Sequence, residues 1–461
     1  MRMKSSYPPA LSVLAVVAIS AWPAAADMTV KFADLRPDAT TRPGYVSFGG
    51  GGTLIGKNLS NNAALAKGVS YRLDSLTKGI SITEFTNGRI YLSLAAKLTT
   101  PNAANGYSPN FANPSLADYA TRWDKVEITF APIADKPSAG GANLSAQDFF
   151  SVPLRIVTIG GGKTPTTLTW DKETAPVMAA LGGLAKFAII TKANATGAIA
   201  LSANGVTVVG VTAGKVVRVI SPASVAPKNA AGVTVYPSFA AYVISLRKGD
   251  PSNPGQPVRT IIAGNNGQIG TGGPLQTYNL TATIANQAGT VGGAKVKAGD
   301  LVLTGNVDNG AGNVQTTILV AAVNLSDHAI YGANPTYTIV KGADTNGIVE
   351  KVLADFFAAL NFGFVGSPVD NPGDHGTTIG ASPSWAWYGN RPSGVNRPPL
   401  PIDDAFAFAQ PGKKKNYNQY AAYLTGASDA YGFAYNDRLQ SPLAPLSDGS
   451  VLTLSILPDK Q

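Results

Sequence analysis

The chain has 461 residues, 44% of them hydrophobic and 14% charged, a composition too apolar for a disordered protein and long enough to bury a core in two lobes. It has no cysteine and only two histidines, His328 and His375, which excludes disulfides and Cys/His zinc sites and argues against a histidine-based triad. The formal charge is +9, but the basic residues are scattered and Lys413-Lys414-Lys415 is the single tight run, so no nucleic-acid patch is expected.

Residues 1–26 have the form of a secretory signal: a basic start at Arg2 and Lys4, an apolar run from Ala10 to Ala21, and small residues Ala24-Ala25-Ala26 before Asp27. A secreted or periplasmic protein is therefore expected, with the charge falling to +7 (34 basic against 27 acidic residues) once Arg2 and Lys4 are removed. No other stretch approaches the roughly 18 apolar residues of a membrane span.

From Met28 to Ile159 the pattern predicts strands and turns. Tyr45 to Phe48, Gly79 to Phe85 and Arg89 to Leu94 alternate apolar and polar residues, and Asn87-Gly88 reads as a tight turn between the last two. A Pro/Asn-rich loop, Thr100 to Pro114, carries Tyr107 and Phe111, which either pack locally or stack on a ligand. Two strand-like stretches follow, Trp123 to Phe130 and Ala142 to Phe150, joined by a turn-rich connector from Ala131 to Gly141. Each carries one acid in an apolar run, Glu127 and Asp148. Neighbouring strands joined this way could aim both carboxylates into one cleft, which suits glycosidic bond cleavage; alternatively both acids decorate a solvated sheet face.

Short strands continue to Ile220, with a helix predicted over Thr174–Leu184 and another beginning at Pro237. Strands are predicted at Thr277 to Ile284, Leu301 to Leu303 and Thr316 to Val323. The clearest helix is Gly347 to Asn361, whose apolar residues Val349, Val352, Leu353, Phe356, Phe357 and Leu360 recur at helical spacing. The Pro/Gly-rich segment 367–401 carries Trp385, Trp387 and Tyr388, either a stacking platform for sugar rings or a staple for a long loop. A short helix is predicted over Asn416 to Leu424 and a last strand over Ser450 to Leu457.

Two apparent motifs fall away. Gly160-Gly161-Gly162-Lys163-Thr164 lacks the first glycine of a phosphate loop, since position 157 is Val. Asp344-Thr345-Asn346-Gly347 lacks the full acid spacing of a calcium loop and reads as the cap of the helix after it.

Several stretches, in order, resemble the β-1,3-glucanases of glycoside hydrolase family 64, whose fold is similar to thaumatin-like proteins. Gly88 to Ser93 resembles the family's GRIYFS strand, Trp123 to Phe130 its W-D-x-V-E-F-T strand, and Ala142 to Pro153 its ANxSxVDFVxxPL strand. Phe357 to Asn361 resembles its AALN helix end, and Ala430 to Asp437 its AYAFxYDD segment. The resemblance implies a mainly β protein with a smaller α/β part: a thaumatin-like β-barrel or sandwich lobe (27–205 with about 430–461) packed against a mixed α/β lobe (about 206–429), a wide groove between them. It implies an inverting endo-type β-1,3-glucanase releasing short oligosaccharides, with Glu127 as general acid and Asp148 as general base, and no metal or organic cofactor.

On this reading Thr129, on the face of Glu127, is a candidate sugar contact. Tyr435 and Asp437 fall near the groove, although Asn436, Gly432 and Ala434 depart from the family pattern and Tyr431, Phe433 and Tyr435 read equally as a core strand. Phe130 would raise the pKa of Glu127, and the carboxyls would lie roughly 6.5–9.5 Å apart. The expected partner is a β-1,3-glucan polysaccharide, and the expected state a monomer. The alternatives are a non-catalytic thaumatin-like carbohydrate-binding protein or a β-rich structural surface protein, the latter suggested by the Gly/Ala/Thr-rich residues 160–345.

Overall fold

The structure is a computed structural model. It describes residues 26–99, 107–111, 116–133, 136–160, 163–184, 189–191, 199–202, 205–208, 216–225, 236–250, 253–268, 275–308, 312–344, 347–368, 370–371, 374–390, 400, 402, 407–408, 416–439 and 442–459. The signal-like residues 1–25 lie outside it, as do Lys413 to Lys415.

The body is an eleven-stranded, nearly closed, barrel-like sheet. Nine of its strands come from the first part of the chain: β1 (Met28–Asp34), β2 (Gly44–Gly50), β3 (Leu54–Asn58), β4 (Ser70–Arg72), β5 (Ile80–Leu94), β6 (Trp123–Ile133), β7 (Lys136–Leu144), then, past the short β8 (Phe149–Phe150) of another sheet, β9 (Leu154–Gly160) and β10 (Lys163–Leu168). The others, Ala444–Ser447 and Val451–Ile456, arrive from the far end of the chain. Val451–Ile456 lies between β1 and β9, parallel to β1 and antiparallel to β9, while Ala444–Ser447 borders β7. Alternation buries one face: Ile80, Ile82, Phe85, Ile90, Leu92, Val126, Ile128 and Phe130 are all in the core.

A second sheet of five antiparallel strands is built from Arg259–Gln268, Leu275–Ile284, Leu301–Asp308, Asn313–Val320 and Thr338–Lys341. Helices pack on it. The predicted helix over Thr174–Leu184 is observed with those bounds (α1), but it packs against the helix Gln419–Thr425 and the strand Val216–Ile220 rather than on this sheet. The one expected from Pro237 begins at Ala240 (α2, Ala240–Lys248). After the short α3 (Asp327–Gly332), α4 (Ile348–Phe362) is buried nearly all round, because it lies between the five-stranded sheet and the rest of the body. Asp344 Oδ1 accepts the Val349 N–H at 3.1 Å, which is the capping role read from the sequence, and Gly363 (φ 73°) closes the other end. Among the described residues no helix is long and apolar enough to cross a membrane.

Three local expectations are corrected. Asn87-Gly88 is not a hairpin turn: β5 runs straight through it, and the register with β6 slips there, Phe85 facing Phe130 and Gly88 facing Ile128. The extra residue is a β-bulge with Asn87 at φ 42°. Nor is 131–141 a turn-rich connector, since β6 continues to Ile133 and β7 starts at Lys136. Finally, 430–437 forms no strand. Tyr431 makes a single bridge to Ser145, and Asn436–Arg438 is a 3₁₀ turn.

Candidate active site

The outward face of β6 carries Trp123, Lys125, Glu127 and Thr129, the residues that alternate with the core positions Asp124, Val126, Ile128 and Phe130. Thr129 is thus on the Glu127 face, exposed. Phe130 is on the opposite face and cannot shield Glu127, contrary to the sequence expectation. Across the sheet, Glu127 faces Arg89 of β5 and Asn143 of β7. The bulge at Asn87 makes this possible. Phe85 points into the core, so without the added residue Arg89 would point inward too; with it, Arg89 Nε lies 3.7 Å from Glu127 Oε1.

Asp148 is not on the strand that pairs with β6. β7 ends at Leu144, and Asp148 sits in the bend before β8. Four hydrogen bonds fix that bend. The Ser221 N–H donates to Asp148 O at 2.9 Å, Ser221 Oγ donates to Gln147 O, and just downstream the N–H groups of Ser151 and Val152 donate to Asp124 Oδ2 at 3.0 and 3.2 Å. Asp124 is therefore structural, and burial pushes its carboxyl up to about 7 against these donors.

Under the acids lies a separate aromatic cluster of Tyr91, Leu98, Tyr107, Trp123 and Phe149. Trp123 meets Tyr91 and Phe149 edge-on at 5.5 and 4.7 Å, contacts worth about 0.5–1.5 kcal/mol each. Tyr107 packs locally, 1% exposed, and a side chain at Gly49 would collide with its carbonyl. The buried Arg218 lies 5.5 and 5.4 Å from the Trp123 and Phe149 rings and donates to Phe111 O and Thr121 O at 2.7 and 2.5 Å. Burial lowers its pKa to about 9. The acids thus stand on a rigid floor.

Lys125 joins them. Its Nζ contacts Asp148 Oδ2 directly and lies 3.8 Å from Glu127 Oε1. Sharing one ammonium keeps the nearest oxygens of the two carboxylates within about 6 Å, which leaves room for the roughly 6.5–9.5 Å between carboxyl groups of an inverting pair. Ser224 Oγ donates to the other Asp148 oxygen at 3.2 Å. For Asp148, burial raises the pKa, but the charge and hydrogen bond of Lys125, the Ser224 hydrogen bond and the charge of Arg89 together leave it below its ordinary value. Asn143 Oδ1 on β7 and Ser145 Oγ just past its end are buried without a hydrogen-bond partner. Sequence reasoning missed Lys125, Arg89, Asn143 and Ser224. For Lys125 the signal was available, because the alternation that selects Thr129 selects it as well.

The other candidates gather elsewhere. Asp355, fully buried on α4, is ion-paired with Arg438, accepts from Tyr278 Oη at 2.5 Å, and has its carbonyl bound by Tyr388 Oη at 3.0 Å. Arg438 lies over the Tyr388 ring at 5.3 Å. Next to it, Asp437 is raised in pKa by burial, opposed by the charges of Arg438 and Lys351, and Tyr435 is half-buried. Trp387, 2% exposed, donates from Nε1 to Ile379 O at 3.0 Å and packs on Phe364. Of the two readings of this aromatic group, its geometry is that of a staple. Trp385 differs: it borders a cavity of about 460 Å³ with Ile261, Thr277, Asn279, Asn306 and Pro383, which shares no lining residue with the acid pair.

A carboxylate pair displayed on a barrel-like sheet, fixed by cations and floored by aromatics, has the equipment of a glycoside hydrolase. The comparisons with known proteins give the same class. Residues 38–245 match the β-1,3-glucanase family, glycoside hydrolase family 64, and so include both acids. The fold is similar to that of a family 64 β-1,3-glucanase domain from Clostridium beijerinckii (TM-score 0.55, 13% identity, 93% of this chain and 98% of that one). It is also similar to a laminaripentaose-producing β-1,3-glucanase solved with laminaritetraose (TM-score 0.50, 16% identity, 95% and 99%). No curated protein matches the chain in sequence.

Proposed function

We propose that the protein hydrolyses β-1,3-glucan through Glu127 and Asp148. The single observation that carries this is the convergence of the two acids, from separate elements, on one ammonium at the outward face of β6. The match of residues 38–245 to the family 64 β-1,3-glucanases supports the substrate class. Glu127 is assigned as general acid and Asp148 as general base. The depressed pKa of Asp148 supports its half of the assignment, because a base that activates water must be ionised when substrate arrives. The reaction then inverts the anomeric centre, water adding opposite the leaving oxygen and short oligosaccharides departing. Thr129, Tyr435, Asp437 and Trp385 are proposed as substrate contacts of lesser weight. The protein is further proposed to be a monomer exported by residues 1–26, which N-terminal sequencing of the mature chain would check.

The test is laminarin incubated with wild type, Glu127→Gln and Asp148→Asn, with proton NMR of the first product. Sugar release that both substitutions abolish, with the inverted anomer formed first, is expected. Retention of configuration would overturn the inverting assignment. Glucan binding without release would instead favour a carbohydrate-binding protein that has lost turnover, an outcome compatible with a base already engaged by lysine.

A further inference from the structure

We infer that Lys125 is a positioning residue that keeps Asp148 ionised and aimed, and so sets the lower pH limit of turnover. This rests on the reading of Asp148 as the base. Lys125 is 5% exposed, yet its ammonium makes its direct contact with Asp148 and its longer one with Glu127, both on the site side of the sheet. A lysine buried that far is stable in its charged form only beside anions. Lys125 lies on β6 between Trp123 and Glu127 and opposite Tyr91 of β5, so it is positioned by the sheet next to the aromatic cluster.

The surroundings of Asp148 show why this one cation decides. From β6 it meets Lys125, with Glu127 beyond the same ammonium; from β5 it feels the charge of Arg89 and the phenol of Tyr91. From 221–225 it receives the Ser224 hydroxyl, and from helix 419–425 it faces the phenol of Tyr420, whose Oη donates instead to Ala146 O at 2.9 Å. Burial raises the pKa of Tyr91 and Tyr420, so both stay neutral in the working range. Lys125 is therefore the one cation in direct contact with Asp148 among the described residues. Arg89 acts from farther away, and its own ion-pair contact is with Glu127. Removing Lys125 would leave the half-buried Asp148 with only a hydroxyl donor in direct contact, and its proton affinity would rise.

The test combines carbon-13 NMR titration of Asp148 with the pH profile of kcat/KM on laminarin, in wild type, Lys125→Met and Lys125→Arg. In wild type Asp148 should titrate below about 3.9, the ordinary aspartate value. In Lys125→Met it should titrate about 1–3 units higher, and the acidic limb of the profile should move by the same amount. Lys125→Arg should restore most of the shift, which a purely space-filling role would not require. A wild-type Asp148 titrating at or above the ordinary value overturns the inference without any variant. So does a folded Lys125→Met with an unmoved titration. If the titration moves but no variant, wild type included, releases sugar, the hydrolase reading fails while the placement of Lys125 stands.

Discussion

Glu127 and Asp148 sit beside Arg89 and Lys125 with 26% and 38% of their side chains still reaching solvent, whereas Asp355 meets Arg438 with none. Both places combine carboxylates, cations and aromatic rings. At the first, the cations come from strands on a rigid floor and leave carboxylate surface open. At the second, Tyr278, Asn390 and Arg438 enclose the Asp355 carboxylate. Charge that is partly open to water can be redirected to a substrate, while charge sealed on all sides fixes the elements that carry it. Here those are α4, the five-stranded sheet and the C-terminal 3₁₀ turn.

The contrast can be broken in four ways. The largest effect is expected at the open site: Glu127→Gln should lower laminarin turnover by about 10²- to 10⁴-fold with an unchanged circular dichroism spectrum. A fold collapse in that variant would mean that the acid is structural after all. At the sealed site, Arg438→Met leaves Asp355 buried without its cation and should cost about 3–5 kcal/mol of stability in denaturant titration. A loss under about 1 kcal/mol would show that Tyr278 and Asn390 suffice.

Asp124 supplies a pH-dependent comparison. Its folded-state pKa of about 7 lies above the unfolded value, so the stability it contributes is fully present below about pH 4 and lost as pH rises through 7. Asp124→Asn should flatten that part of the Tm–pH curve, and a slope equal to wild type would remove Asp124 as its cause. The smallest effect is expected at Thr129. Exposed beside Glu127, it should on replacement by Val raise KM about two- to tenfold at nearly constant kcat, as the loss of one hydrogen bond implies. A fall in kcat alone would place it in the chemistry instead.

The two regions also differ in how much of them could be read from the sequence. Period-two alternation gave β6 and its outward acid, because one face of that strand is buried and the pattern is fixed by burial. The same logic placed α4, whose apolar spacing and flanking glycines leave few alternatives. The position of Asp148 was readable only as chemistry: the strand read there is a bend, held by Asp124 and Ser221 from elsewhere in the chain. The Asn87 bulge was hidden in the same way, since Asn-Gly with φ above zero serves hairpin turns and bulges alike. At the sealed site, Trp387 and Tyr388 gave no local sign of whether they faced water. Their burial depends on Phe364 and Asp355, residues that sequence spacing cannot relate to them.

The strand Val451–Ile456 has a consequence for how the molecule is made. It is inserted between β1 and β9, pairing with the first strand of the chain along six positions. A growing chain on the ribosome therefore holds β1 and β9 apart, each with an unpaired edge, until Val451–Ile456 has been added. Contacts of such sequence separation form slowly. The eleven-stranded sheet can close only once that strand is available, and loss of Val451–Ile456 would leave two adjacent strand edges open to other chains, a route to aggregation rather than to a merely altered enzyme.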